Sequence, residues 1–316
     1  MTIFQMAMED NVAGINQHLT DINIVCEDSK SLLHYAVLGS AHNVIDYLLV
    51  KGIDINLKDK NAETAIFDCA RKAKVLIAKK LILKHANINV VNKMKESLLH
   101  LACSKGNLEI IELLMDAKIK VDMITKDGKL PIHYAILAGN YNIVDQLLKT
   151  FSLSKFMADQ NNNTLLHYAA MTSSCKMIEL FINHKLDPNA LNNQLETPLF
   201  MAAKSGTYDT NLLLLNHNAL LELRNIRFDN VFNIANFNEN YAVLNLYAEY
   251  QTRTKYINFV KNNPYVVAIL NNDILQVKNL LLNKVEVDNP YLGLSPLDYA
   301  KKYQRSEIVQ LLLASR

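Results

Sequence analysis

The hexapeptides SLLHYA at 31–36, SLLHLA at 97–102, LPIHYA at 130–135 and TLLHYA at 164–169 are variants of one frame. Counted by its first residue, the frame falls at Thr2, Ser31, Thr64, Ser97, Leu130, Thr164, Thr197, Asn230, Asn263 and Ser295, at intervals of 29, 33, 33, 33, 34, 33, 33, 33 and 32 residues. So regular a period constrains the fold strongly. A unit of this size cannot bury an apolar face alone, so its neighbours must stack on it and the chain must be an array.

Each unit spells out a helix pair. The frame opens on N-cap residues such as Thr64, Thr164, Thr197, Asn263 and Ser295, whose side-chain oxygens accept an orphan amide of the first turn. Proline follows at Pro131, Pro198, Pro264 and Pro296, where a missing N–H costs nothing. The first helix is expected to stop at Gly106, Gly139 and Gly206, where a left-handed residue reverses the chain. A second helix then carries apolar pairs four residues apart: Val44/Ile45 with Leu48/Leu49, Ile110/Ile111 with Leu114/Met115, Ile143/Val144 with Leu147/Leu148, and Ile308/Val309 with Leu312/Leu313.

Period, cap, proline, histidine and glycine together resemble the ankyrin-repeat family over essentially the whole chain. The resemblance implies an all-α solenoid of about ten helix-turn-helix repeats, elongated and curved, with projecting hairpin loops at segments such as NLKDKNAE and MITKDGK. One domain over 1–316 is expected: a cap at 1–30, repeats at 31–229, divergent repeats at 230–294 and a C-terminal cap repeat at 295–316. The shortened first unit and the polar last pair, with Lys301, Lys302, Gln304, Arg305, Glu307 and Gln310, read as caps. Residues 224–262 keep the phase but lose the proline, histidine and glycine marks, as a divergent repeat or a small insertion would. At Thr210 and Asn211 the apolar pair is missing, which predicts weaker packing there.

His34, His100, His133 and His167 could build a metal site, act as bases or fasten turns. Their repetition favours fastening, because a role shared by every repeat needs no site-specific chemistry. In the family the matching histidine bonds back to its own cap hydroxyl and to nearby loop backbone, and the resemblance implies the same here. Phe67, Phe200 and Asp298 stand in its place elsewhere, which argues against a ligand set. There is no G-x-S-x-G elbow, phosphate loop, H-E-x-x-H or C-x-x-C. His100 with Cys103 is the one pair that could be a thiol beside a base, but Cys103 also fits the slot where the family packs alanine. The reading is therefore no enzyme and no cofactor or metal. The alternative, a regulatory or catalytic activity hidden in 224–262, has too few residues for a catalytic domain.

Half of the 316 residues are hydrophobic and 20% charged, as in a folded chain, and 33 basic against 31 acidic residues leave a net charge of +2. Nucleic acid is not an expected partner, since no basic excess gathers phosphates. No apolar run suggests membrane insertion, and the opening MTIFQMAMEDN lacks a basic leader. Unpaired cysteine spacing places the chain in the cytoplasm. Stand-alone arrays of this composition resemble effectors of intracellular bacteria, which implies host cytosol.

The function expected is a monomeric, non-catalytic scaffold or adaptor that holds another protein in its concave groove. The positions before each cap and at the end of each first helix carry Lys60, Arg71, Lys72, Lys93, Lys95, Lys105, Lys126 and Lys129, diluted by Glu63, Glu96 and Asp127. Amides follow at Gln160, Asn161, Asn163, Asn193 and Gln194, and then aromatics at Phe228, Phe237, Phe259 and Tyr291. Such a gradient suits an acidic protein segment, steered by charge and anchored by aromatics.

Overall fold

The computed structural model describes all residues except 153–157, 206, 288–289 and 316, and only the backbone at 254–256 and 259. Its contacts divide the chain into two compact units, Met1–Gln160 and Asn161–Arg316. The first unit holds five helix pairs: α1 (Ile3–Met8) with α2 (Val12–His18), α3 (Leu32–Gly39) with α4 (His42–Val50), α5 (Ile66–Lys72) with α6 (Val75–Leu83), α7 (Leu98–Lys105) with α8 (Leu108–Asp116), and α9 (Pro131–Leu137) with α10 (Tyr141–Thr150). The second unit holds five more and one extra helix: α11 (Leu165–Met171) with α12 (Cys175–Asn183), α13 (Pro198–Ser205) with α14 (Tyr208–Asn216), α15 (Val231–Phe237) with α16 (Tyr241–Gln251), then α17 (Thr254–Asn262), and α18 (Pro264–Leu270) with α19 (Ile274–Leu282) and α20 (Pro296–Lys302) with α21 (Ser306–Ala314). Among the described residues there is no strand beyond three isolated bridges.

The turns follow from single backbone positions. Gly106 and Gly139 end their first helices at φ 71° and 73°, as the sequence predicts, whereas Gly206 lies outside the described residues. Elsewhere Ser40, Ala73, Ser173, Glu239, Asn272 and Gln304 take the same left-handed conformation. The geometry of the turn therefore dominates residue preference there, at a cost of about 1 kcal/mol for each side chain.

Burial in the second helices records the stacking. Two adjacent positions are buried in every stacked repeat: Val44/Ile45, Ile77/Ala78, Ile110/Ile111, Ile143/Val144 and Met177/Ile178. Thr210/Asn211 is buried too, and the weaker packing expected there does not follow. The Asn211 amide donates to the Ala202 carbonyl at 3.1 Å, and Tyr247 of the next repeat donates its hydroxyl to Asn211 Oδ1. A polar bridge replaces the apolar pair with its hydrogen bonds satisfied.

The pattern breaks after α16. Leu244, the second member of its pair, is half-exposed, and Gln276, at the first position in α19, is exposed. Residues 230–251 are thus a regular repeat that ends one stack, while Gln276 caps a new one made of α18 to α21. Helix α17 occupies the segment that forms a hairpin elsewhere.

This closing module seats on the loop bases of the earlier repeats in its unit. Tyr299 donates its hydroxyl to Asp187 Oδ2 at 2.6 Å, Asn189 Nδ2 donates to Tyr291 Oη at 3.1 Å, and Lys302 lies 3.8 Å from Asp187. Loop bases in the first unit are polar and exposed at Asp54, Asn56, Asn87, Asn89, Lys120 and Asp122. In the second unit Leu220 is buried at the position of Asp54, Asn87 and Lys120, and Leu191 is buried at the position of the exposed Lys58 and Ile124. Apolar residues at normally wet positions give the module its seat.

Candidate functional site

The histidine ladder is structural in its geometry. At His34 both the amide and the hydroxyl of Ser31 lie on Nδ1, at 3.1 and 2.9 Å, and Nε2 lies 3.1 Å from the carbonyl of Glu63 in the next loop. His100 repeats this with Ser97 and Lys129, and His167 with Thr164 and Glu196. A carbonyl can only accept, so Nε2 carries the proton and the ring is neutral. Each ring therefore locks its own cap to the next repeat. Burial holds His34 and His100 below the ordinary histidine value and lowers His133 to about 4.

Other residues can take the histidine's place. Gln5, Asn233 and Asp298 each accept the amide of their cap residue, Thr2, Asn230 and Ser295, in a reciprocal capping box. Phe67 and Phe200 cannot. In those two repeats Thr64 Oγ1 and Thr197 Oγ1 are buried without a partner among the described residues.

The thiol reading of Cys103 fails on its surroundings. Cys103 is fully buried, which raises its thiol strongly, and both ring nitrogens of His100 are engaged. Neither a thiolate nor a free base is available there.

The hairpin tips form a backbone ladder. Lys60 N–H donates to the Asp28 carbonyl at 2.9 Å, Lys93 to Asn61 at 2.9 Å and Lys126 to Met94 at 3.0 Å. The second unit continues the pattern within itself, from Asn193 to Asn161 at 2.8 Å and from Ile226 to Gln194 at 3.0 Å. Lys60, Lys93 and Lys126 thus occupy one position on three successive bonded tips, and all three are exposed. Lys60 pairs with Asp28. Lys93, Lys95, Lys126, Lys72 and Lys105 form no salt bridge among the described residues, and all five are exposed.

Arg71 differs from its neighbours. Its guanidinium grips both oxygens of Glu63 at 2.8 Å and Asp68 at 2.7 Å, so its charge is spent inside the protein. Lys204 grips Glu196 in the same way at 2.8 and 2.7 Å, with the same separation of eight residues. That repeated spacing was a legible signal for an internal latch. Lys129 is half-buried, and its carbonyl receives His100. Glu96 is likewise engaged, accepting from Asn92 and Tyr134 at 2.8 Å.

The aromatic positions separate. Phe237, 86% exposed, lines a groove of about 400 Å³ with Ile226, Ile234, Arg227 and the Lys204–Glu196 pair. Phe228, 77% exposed, lines a different cleft that shares only Asn225 and Ile226 with that groove. Tyr291 is buried against Asn189 in the seat of the closing module, and the side chain of Phe259 lies outside the described residues.

No helix among the described residues is long and apolar enough to cross a membrane. A family model for three consecutive ankyrin repeats matches residues 3–90, 66–156 and 150–225. The human ASB11 ankyrin repeat domain superposes with a TM-score of 0.58 at 21% identity, over 65% of this chain and 92% of that one, a likeness of fold alone. Helix pairs, histidine-locked caps and laddered hairpins agree with these matches, and the chain belongs to the ankyrin-repeat family.

Proposed function

We propose that this chain is a non-catalytic scaffold that holds an acidic segment of a partner protein along the hairpin tips of its first unit. Ankyrin repeats are in general protein-interaction modules, and this fold gives the tips a rigid backbone. The observation that carries the reading is the row Lys60, Lys93 and Lys126 on three hydrogen-bonded tips, with the last two exposed and in no salt bridge among the described residues. Lys95, on the same tip as Lys93, and Lys72 and Lys105, at the ends of first helices, widen the strip, whereas Arg71 serves the fold and Lys129 is half-buried. Fixed charges on a rigid scaffold steer a partner and set its register.

The test is a binding measurement on the intact chain with Lys93, Lys95 and Lys126 all changed to Glu. Association should fall at least about tenfold and lose most of its salt dependence, with the melting temperature nearly unchanged, because all three side chains are solvated. Unaltered affinity and salt dependence would show the strip to be ordinary solvation. A second reading is favoured by the apolar floor of Ile226, Ile234 and Phe237, which suits an apolar anchor side chain. Phe237→Ser would then be the damaging change.

We also propose that the chain works as a monomer in a cytosol. The four free cysteines, two of them, Cys69 and Cys103, buried, support a reducing compartment, and sedimentation of the intact chain tests the monomer. An effector role in a host cell, which the resemblance suggests, belongs to the same proposal, and a translocation assay with a reporter fusion tests it.

A further inference from the structure

We infer that the cleft between the hairpin tip at 224–228 and the closing module is a separate binding site, for an acidic protein segment carrying a large apolar side chain. The cleft encloses about 640 Å³ and is walled by Leu195, Arg224, Ile226 and Phe228 on one side and by Asn272 and Arg305 on the other. That volume is typical of a ligand site. It exists because α18 to α21 seat on the loop bases, so an uninterrupted stack would lack it.

Phe228 is the residue that most needs an explanation. It adopts φ 65° at a tip position that holds Ser29, Ala62, Lys95, Gly128, Asn162 and Leu195 in other repeats. A bulky aromatic in the left-handed region is unfavourable, and here 77% of it faces water, so no packing within the chain offsets the strain. The turn holds this backbone in each of these repeats, but an aromatic side chain left facing water points to a surface that a partner completes. Ile226, 51% exposed, extends the apolar floor.

The flanking charge selects the partner. Arg224 is exposed, with one nitrogen donating to the Phe228 carbonyl at 2.8 Å. Arg305 crosses to the Ile269 and Leu270 carbonyls at 3.3 and 3.2 Å. Neither is in a salt bridge among the described residues. The carboxylate of the cleft, Asp273, already caps α19 by accepting from Gln276 N–H at 2.9 Å. Two guanidinium groups around an exposed phenyl ring favour a carboxylate beside an apolar group.

The experiment measures fluorescence anisotropy of a short labelled peptide alternating glutamate with phenylalanine. It uses the full chain carrying Lys93→Glu and Lys126→Glu, which removes the tip strip of the first unit and separates this site from the one proposed above. The peptide should bind this background, and Phe228→Asn or Arg224→Glu should each weaken binding at least about tenfold. Asparagine already occupies this tip position at Asn162, so the first variant keeps the fold. Leu220→Asp places at the loop base the residue found at the exposed Asp54, which should unseat the module and abolish binding. Phe237→Ser should have no effect. Absence of binding, equal binding of the peptide with lysine for glutamate, or indifference to both Phe228→Asn and Arg224→Glu would overturn the inference.

Discussion

A single position, the fourth residue of the frame, decides how each repeat closes its first turn. At His34, His100 and His167 the ring satisfies the cap and the next loop at once. Where the position is phenylalanine, Thr64 and Thr197 keep a buried hydroxyl without a partner among the described residues. Thr64→Val or Thr197→Val should therefore be neutral or stabilising by up to about 1 kcal/mol, whereas Ser97→Ala should cost about 1 kcal/mol. Denaturant melts of the three variants check this. The rings also predict a pH dependence. Burial keeps the folded values of His34, His100 and His133 below the unfolded value, so the unfolded chain binds more protons as pH falls. Their contribution to stability is complete above about pH 6.5 and is lost as pH falls toward the folded values, about 4 for His133. Chemical melts between pH 7.5 and 5 should show stability falling with up to three protons taken up on unfolding, and His100→Gln should remove one of them.

Between elements, the second-helix cap position reaches back one repeat. Lys74 Nζ donates to the carbonyls of Val37 and Leu38 at 2.6 and 2.7 Å and contacts Ser40 Oγ at 2.8 Å, closing the end of α3. Asn140 does the same for Cys103 at 3.0 Å, and Arg305 for Ile269 and Leu270. Lys74→Met should cost about 1 kcal/mol, read as a shift in the thermal midpoint, because the carbonyls at a helix C-terminus lose a cation. The ten helix pairs were legible because each is written locally, in cap, proline and apolar spacing. The end of one stack after α16 was not, since the period runs on unbroken from Asn230 to Asn263. A period reports how a unit folds, not which neighbour it touches. That information sits in the stacking positions, where Gln276 replaces Val44, Ile77, Ile110 and Ile143, and in the loop bases, where Leu220 replaces Asp54. Likewise the basic strip was legible as composition, but the withdrawal of Arg71 into its grip on Glu63 depended on a contact the strip itself does not show.

At the scale of the molecule, a nearly neutral protein carries exposed lysines on the bonded hairpin tips of one unit, and buries Cys69, Cys103 and the four histidines of the repeated frame in structural roles. On the proposed reading, the fold supplies a rigid presenting surface and the tip lysines the chemistry of recognition. The most direct measurement of this account places a photoreactive residue at position 126, on a tip, and separately at position 112, on the second-helix face, in the intact chain exposed to cell lysate. Mass spectrometry then identifies the residues captured on the partner. The account predicts that position 126 crosslinks to an acidic stretch of a partner protein, in a salt-sensitive manner, and that position 112 captures little. Equal capture from both positions, or capture at 126 that ignores both salt and the acidity of the partner segment, would contradict it.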